Sequence, residues 1–137
     1  MKILHCADLH MESPMETHMT REQAAKRNAD ILMSFQRMTE YAKKEKVRVV
    51  LIAGDFFDGE RVTRRTVESV LDAMRCTPQI DYLYVSGNHD DQTNAFADQE
   101  IPENFKRFTD KWNTIEYGDV AVSGIEITKN NASTLYE

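Results

Sequence analysis

The sequence predicts an α/β protein in which a mostly parallel sheet is flanked by helices. Two observations predict this class. Apolar strand-like segments alternate with amphipathic helical segments up to residue 86, in the order βαβαβ. The middle strand-like segment is apolar at almost every position, which is typical of a parallel strand covered on both faces. Because crossovers between parallel strands are right-handed, this order builds one sheet with helices packed on it.

The predicted strands are short apolar runs bounded by polar or glycine residues. They cover residues 2–7, 47–53, 80–86, 114–117 and 120–127. Gly54 and Gly87 follow the second and third of these runs, and glycine commonly ends a strand. Gly118 and Asp119 separate the last two runs, so we expect a turn there.

Three helices are predicted between and after these strands. The first runs from Arg21 to about Lys46, with apolar residues at helical spacing and lysines near its C-terminus. The second has apolar residues at i, i+3, i+4 and i+7, which are Val67, Val70, Leu71 and Met74. A third is predicted to begin near Pro102, because proline suits a first helical turn. Its buried side would consist of Phe105, Phe108 and Trp112.

The composition is that of one domain or of a piece of a larger one. With 137 residues and 41% hydrophobic content, the chain can bury one core of ordinary size. The sequence has no apolar run near the roughly 20 residues of a membrane span and no signal-peptide pattern. We therefore expect a cytoplasmic protein with no membrane partner. Cys6 and Cys76 lie far apart and are expected to be reduced thiols.

The net charge of −6 gives no support for DNA binding through phosphate neutralisation alone, because proteins that bind in that way are normally basic. The acidic balance is nevertheless compatible with an enzyme that acts on phosphate esters. Carboxylates that bind divalent cations contribute to this charge, and the bound cations reverse its local sign.

Three polar clusters lie where the strands of the βαβαβ unit end. They are Asp8-Leu9-His10, Gly54-Asp55-Phe56-Phe57-Asp58 and Gly87-Asn88-His89-Asp90. Since the carboxyl ends of parallel strands meet at one edge of a sheet, residues of all three clusters can converge on one site. Each cluster alone is more commonly a group of solvated polar side chains or a turn. Their occurrence at three successive strand ends favours a functional site.

The residue types in these clusters are those that bind divalent cations. Carboxylate and imidazole groups suit Mn²⁺, Fe²⁺ and Zn²⁺, and the side-chain oxygen of Asn88 can serve as a neutral ligand. Two cations about 3.5 to 4 Å apart can share a carboxylate and stabilise both the attacking and the leaving oxygen at phosphorus. Asp55 is the natural bridging group. Gly54 and Gly87 would let the backbone approach an ion or a phosphate closely.

At these residues the sequence resembles the calcineurin-like metallophosphoesterases. Their pattern D-x-H, GD and GNH[DE] is matched by residues 8–10, 54–55 and 87–90. Within this superfamily, residues 4–10 and 53–58 are similar to the DNA-repair exonuclease branch, the nuclease subunits of double-strand-break repair.

The resemblance implies a metal-binding role for four residues. Asp8 and His10 would bind a first metal ion. Asp55 would bridge two ions, and Asn88 would bind the second. The two divalent ions would be Mn²⁺, with Fe²⁺ or Zn²⁺ as alternatives.

The resemblance also implies how the reaction proceeds. A metal-bound hydroxide would attack the phosphorus. His89 would act as general acid or stabilise the leaving oxygen, and Asp90 would orient the ring of His89. We expect Asp58 only to support the metal ligands or to pack within its loop.

The chain departs from the family pattern in one respect. The pattern continues with Gly-His and Gly-His-x-His motifs, and none of the four histidines, which are His5, His10, His18 and His89, lies in such a motif. We therefore expect residues 1–137 to be the N-terminal part of a metallophosphoesterase domain, the first half of a four-layer α/β/β/α sandwich. We expect this chain alone to bind metal weakly, to have little activity and to self-associate through apolar residues of segment 120–127.

The function that follows is a metal-dependent phosphodiesterase acting on DNA ends or single strands. A partner ATPase of the SMC-like kind is implied by the resemblance only. Two alternatives stay open, a small-molecule phosphodiesterase or protein phosphatase on the same fold, and a non-catalytic scaffold module.

Overall fold

The computed structural model describes residues 1–14, 18–58, 62–87 and 95–135. The elements in chain order are β1 (Ile3–Cys6), α1 (Arg21–Lys44), β2 (Val49–Ala53), α2 (Arg64–Arg75), β3 (Asp81–Val85), β4 (Phe105–Arg107), β5 (Asn113–Tyr117) and β6 (Val120–Gly124). In these described ranges no helix is both long and apolar enough to cross a membrane.

Strands β1 to β4 form one parallel sheet in the order β1-β2-β3-β4. The predicted α/β class and βαβαβ unit are therefore confirmed, and the ends of β1, β2 and β3 lie within two residues of the predicted ones. Strands β5 and β6 form a separate antiparallel hairpin, in which Tyr117 pairs with Val120. Gly118 has a φ of 68° in the turn between them, a left-handed conformation that favours glycine.

Helix α1 begins at a capping box. The hydroxyl of Thr20 accepts a hydrogen bond from the amide of Gln23, and the side chain of Gln23 accepts one from the amide of Thr20. Lys43 and Lys44 lie in the last turn, where their charge complements the helix dipole. At the end of α2, the side-chain amide of Asn104 donates to the carbonyl oxygens of Met74 in the last turn of the helix and of Thr77 and Ile80 after it.

The two faces of the sheet are covered by different elements. Val50 and Ile52 of β2 pack in one cluster with the buried residues of both helices, such as Phe35. The alternate residues, Val49 and Leu51, pack in a second cluster with residues of the hairpin. Both helices therefore lie on one face and the hairpin covers the other, which explains why β2 is apolar at every position.

The predicted third helix is wrong, because residues 105–107 form strand β4. The amide of Tyr82 donates to the carbonyl oxygen of Asn104, so this segment pairs with β3. Phe105 then packs on the helix side of the sheet and Phe108 on the hairpin side, whereas a helix would have placed both on one face. Trp112, expected to be buried, is 61% exposed.

A buried carboxylate fastens the hairpin to the sheet. Asp81 of β3 accepts hydrogen bonds from the ammonium of Lys106 at 2.8 Å and from the hydroxyl of Tyr117 at 2.7 Å. The guanidinium of Arg48 lies 3.8 Å from the same carboxylate and stacks over the ring of Tyr117. This group of charges joins β3, β4 and β5 at the end of the sheet opposite the polar clusters.

Candidate metal centre

The loops that follow β1 and β2 stay paired beyond the strand ends. The amide of Asp8 donates to the carbonyl oxygen of Gly54 at 3.2 Å, and the amide of His10 donates to that of Asp55 at 2.9 Å. Met11 is buried and forms a parallel bridge with the second loop. Two of the three polar clusters are thus held side by side by backbone hydrogen bonds.

The backbone of this region is in a conformation that is rare for residues with a side chain. The φ angles are 54° at Asp8, 46° at His10, 60° at Glu12 and 49° at Asp55. A left-handed conformation costs about 1 to 2 kcal/mol per residue, and such strain is concentrated at functional sites. The backbone pairing of the two loops offsets this cost.

Gly87 makes room for the carboxylate of Asp55. A Cβ atom on Gly87 would lie 2.2 Å from Oδ1 of Asp55 and 2.5 Å from its backbone nitrogen. No substituent larger than hydrogen fits there without movement. The segment after β3 therefore contributes to the site because Gly87 has no side chain and leaves space for Asp55.

The structure brings three of the four predicted metal ligands together. One ligand atom each of Asp8, His10 and Asp55 lies within 4.8 Å of the other two. The side chain of Asp8 is 71% exposed, whereas that of His10 is 34% exposed. Two carboxylates and one imidazole at this spacing are a donor set that fits a borderline divalent cation. Their role as ligands stays a prediction.

Asp58 lies next to the imidazole of His10. Its Oδ2 is 3.5 Å from Nδ1 of His10, while Nε2 of His10 is 4.0 Å from Oδ1 of Asp8. One ring nitrogen thus faces Asp58 and the other faces the predicted ligands. This is the arrangement by which a carboxylate commonly orients a metal-binding histidine.

The other predicted site residues, Asn88, His89 and Asp90, lie outside the described residues. Their roles as metal ligand, general acid and orienting group stay predictions.

Sequence reasoning missed the role of Glu12. Its carboxylate accepts hydrogen bonds from the amide of Thr63 at 2.5 Å, from the hydroxyl of Thr63 at 2.6 Å and from the hydroxyl of Thr66. Thr63 is the N-cap of α2. Glu12 thus ties the first loop to the start of a helix about 50 positions away. The sequence can suggest that Thr63 caps a helix. It cannot show that Glu12, so distant in the chain, accepts hydrogen bonds from Thr63.

Cys6 lies in β1, two positions before Asp8. Burial raises the pKa of its thiol to about 11, and the thiol donates to the carbonyl oxygen of Leu51 at 3.6 Å. The side chain is therefore a neutral thiol near pH 7, in agreement with its predicted place in the strand.

Comparison with known proteins identifies the family of this chain. The model of the calcineurin-like phosphoesterase family matches residues 1–136. The DNA double-strand break repair protein Mre11 of Aeropyrum pernix is 34% identical over 92 residues, which are 65% of this chain and 21% of that protein. The double-strand break repair protein MRE11 of Mus musculus is 25% identical over 122 residues, 89% of this chain and 15% of that protein.

A further relative is the uncharacterized metallophosphoesterase YhaO of Bacillus subtilis. It is 29% identical over 112 residues, 77% of this chain and 27% of that protein. The chain thus spans between 15% and 27% of the length of these three relatives. Because the family model matches residues 1–136 of the 137, the chain belongs to the calcineurin-like phosphoesterase family.

Proposed function

We propose that this chain carries metal-binding loops of a metal-dependent phosphodiesterase that cleaves DNA. The observation that carries the proposal is the convergence of Asp8, His10 and Asp55 within 4.8 Å at the carboxyl ends of two adjacent parallel strands. Relatives from an archaeon and a mouse are named as double-strand break repair proteins, which supports DNA as the substrate class.

In this proposal Asp8 and His10 hold one divalent ion, Asp55 bridges to a second, and Asn88 binds that second ion. Manganese is proposed first, with iron and zinc as alternatives that suit the same donors. When bound, such ions lower the pKa of a water molecule and neutralise charge on phosphate oxygens.

Side chains of the protein orient the ligands and transfer the proton. Asp58 holds the ring of His10 so that Nε2 faces the ion. His89 delivers a proton to the leaving oxygen or stabilises its charge, and Asp90 keeps the ring of His89 protonated and oriented. The further imidazole ligands of the family would come from a second sheet, since we propose that residues 1–137 form the first half of a four-layer sandwich. A partner ATPase of the SMC-like kind belongs to the same proposal.

The test uses the gene product that contains this chain, assayed with Mn²⁺ on DNA, on a cyclic nucleotide and on a phosphopeptide. We expect DNA to be cleaved fastest and Asp55→Asn to lower the rate by at least about 100-fold, because a bridging ligand is lost. Asp119→Asn, the same change in the exposed turn between β5 and β6, should leave the rate within about twofold. Faster cleavage of a cyclic nucleotide or phosphopeptide would overturn the choice of DNA, and equal rates for the two variants would overturn the site.

A further inference from the structure

Arg107 is the last residue of β4. It lies at the same edge of the sheet as the candidate metal centre. It pairs in register with Tyr84 of β3. Since all four strands run parallel, the end of β4 points to the same edge as the loops that carry Asp8 and Asp55. Arg107 therefore belongs to the rim of that edge, two strands away from Asp55.

The side chain of Arg107 rests on two aromatic rings. Its guanidinium carbon lies 5.8 Å from the ring centroid of Tyr84 and 5.6 Å from that of Phe96. Both rings are buried, so their positions are fixed by the core. Cation–π contacts of this kind hold a guanidinium by its face and leave the N–H groups along its edge available to an acceptor.

Charge pairing distinguishes Arg107 from several other arginines. Arg48, Arg64 and Arg75 each lie within 4.0 Å of a carboxylate. In the part of the chain that the structure describes, the recorded contacts of Arg107 are the two aromatic rings and no carboxylate. Arg107 is exposed, and among the residues that the structure describes no carboxylate competes with an anion from solution for its guanidinium.

The strand register gives the separation between Arg107 and the candidate centre. Ile52, Tyr84 and Arg107 are level across three strands, and Asp55 lies three positions beyond Ile52. With about 3.3 Å per residue along a strand and about 4.8 Å between strands, the backbones of Arg107 and Asp55 are at most roughly 14 Å apart, because the chain leaves the extended conformation at Gly54 and Asp55. One strand of a duplex carries a phosphate for each rise of about 3.4 Å along the helix axis, so a few nucleotides span this distance.

We propose that Arg107 and its two supporting rings form an anion subsite that binds a phosphate of a polynucleotide, a few nucleotides from the phosphate that is cleaved. The inference rests on the proposed phosphodiesterase function and narrows its substrate class. A substrate with several linked phosphates occupies the centre and the subsite together, whereas a cyclic nucleotide or a phosphopeptide with one phosphate does not reach both.

The experiment measures binding of a fluorescein-labelled single-stranded oligonucleotide by anisotropy, in EDTA so that no hydrolysis occurs, over a range of salt concentrations. We expect Arg107→Gln to weaken binding about fivefold near 0.1 M salt and to lower the salt slope by about 0.7, the value for one phosphate contact on a single strand. The effect should be equal for two unrelated sequences, because a phosphate contact does not read bases.

Arg37→Gln removes the same charge from the exposed face of α1 and serves as the matched control. It should leave the slope unchanged. An unchanged slope in Arg107→Gln, an equal loss in both variants, or no binding by the unsubstituted protein would each overturn the subsite. A failure of the proposed metal centre is distinguishable, because it would show in Asp55→Asn with Mn²⁺, and this titration contains no metal.

Discussion

At the residue scale, the candidate centre depends on backbone conformations that the side chains themselves disfavour. Asp8, His10 and Asp55 all have positive φ angles. The sequence shows which residue types follow each strand, and the parallel order predicts that they converge, because carboxyl ends of neighbouring strands meet. It does not show these left-handed angles, since they result from the pairing of two loops that lie far apart in the sequence.

Gly87 provides a prediction at this scale. In Gly87→Ala the added methyl group would collide with the carboxylate and the backbone nitrogen of Asp55, so Asp55 must move. We expect the affinity for Mn²⁺ to fall by at least about tenfold and the free energy of unfolding to fall by about 1 to 3 kcal/mol, the usual range for overpacking. Calorimetric titration and urea denaturation measure the two quantities.

The control for this variant is Gly118→Ala in the hairpin turn. Its added methyl group meets nothing within 4 Å, although the φ of 68° makes it strained. It should cost about 1 kcal/mol of stability and leave the Mn²⁺ affinity unchanged. Unchanged metal affinity in Gly87→Ala would show that Asp55 does not need the space that Gly87 leaves.

At the element scale, Glu12 connects the first loop to α2. In Glu12→Ala the amide of Thr63 and two hydroxyls lose their acceptor, while Thr63 keeps its own capping contact with the amide of Thr66. We expect a loss of about 1 to 2 kcal/mol in the free energy of unfolding, and a smaller loss in Glu12→Gln, which retains one acceptor oxygen. Urea denaturation measures both.

Glu68→Ala is the matched control on the same helix, because it breaks an exposed pair with Arg64. Such a pair contributes about 0.3 to 0.5 kcal/mol. Equal losses in Glu12→Ala and Glu68→Ala would mean that Glu12 does not fasten the loop to α2.

The element scale is also where sequence reasoning failed. Phe105 and Phe108 are three positions apart, a spacing that suits one face of a helix and equally the two opposite faces of a strand. Pairing with β3 stabilises this segment as a strand. The residues near Pro102 give no local signal of that pairing. The helices α1 and α2 were predictable because each repeats its apolar positions over several turns and begins at a capping threonine.

At the scale of the whole molecule, the layers are joined by the charges around Asp81. Burial alone would raise the pKa of this carboxyl group, but hydrogen bonds from Lys106 and Tyr117 and the charges of Lys106 and Arg48 outweigh it, so its pKa lies below the ordinary 3.8. A group whose pKa is depressed by folding stabilises the fold above its unfolded pKa. This contribution is lost as the pH falls through the folded pKa.

We therefore expect Asp81→Asn to reduce the free energy of unfolding near pH 7, and the difference from the unsubstituted protein to shrink as the pH falls below about 4. Urea denaturation at several pH values measures it. A difference that stays constant down to pH 2 would show that ionisation of Asp81 does not contribute to docking of the hairpin.

The predicted self-association depends on how exposed the apolar residues of segment 120–127 are. Val122 packs partly against the second core cluster, whereas Ile127 is 65% exposed. Ile127 follows β6, and exposed apolar side chains of this kind favour contacts between copies. Self-association stays a prediction, and a monomer by light scattering at high concentration would contradict it.

The central claim is that Asp8, His10 and Asp55 bind a divalent cation together. Its most direct test is calorimetric titration of Mn²⁺ into this chain and into the Asp8→Asn, His10→Gln and Asp55→Asn variants, with Asp119→Asn as control. The account predicts weak binding, with a dissociation constant above about 1 μM, that is lost in each of the three variants and kept in the control. Submicromolar binding of two ions would contradict the predicted weakness, and binding that survives all three substitutions would contradict the site itself.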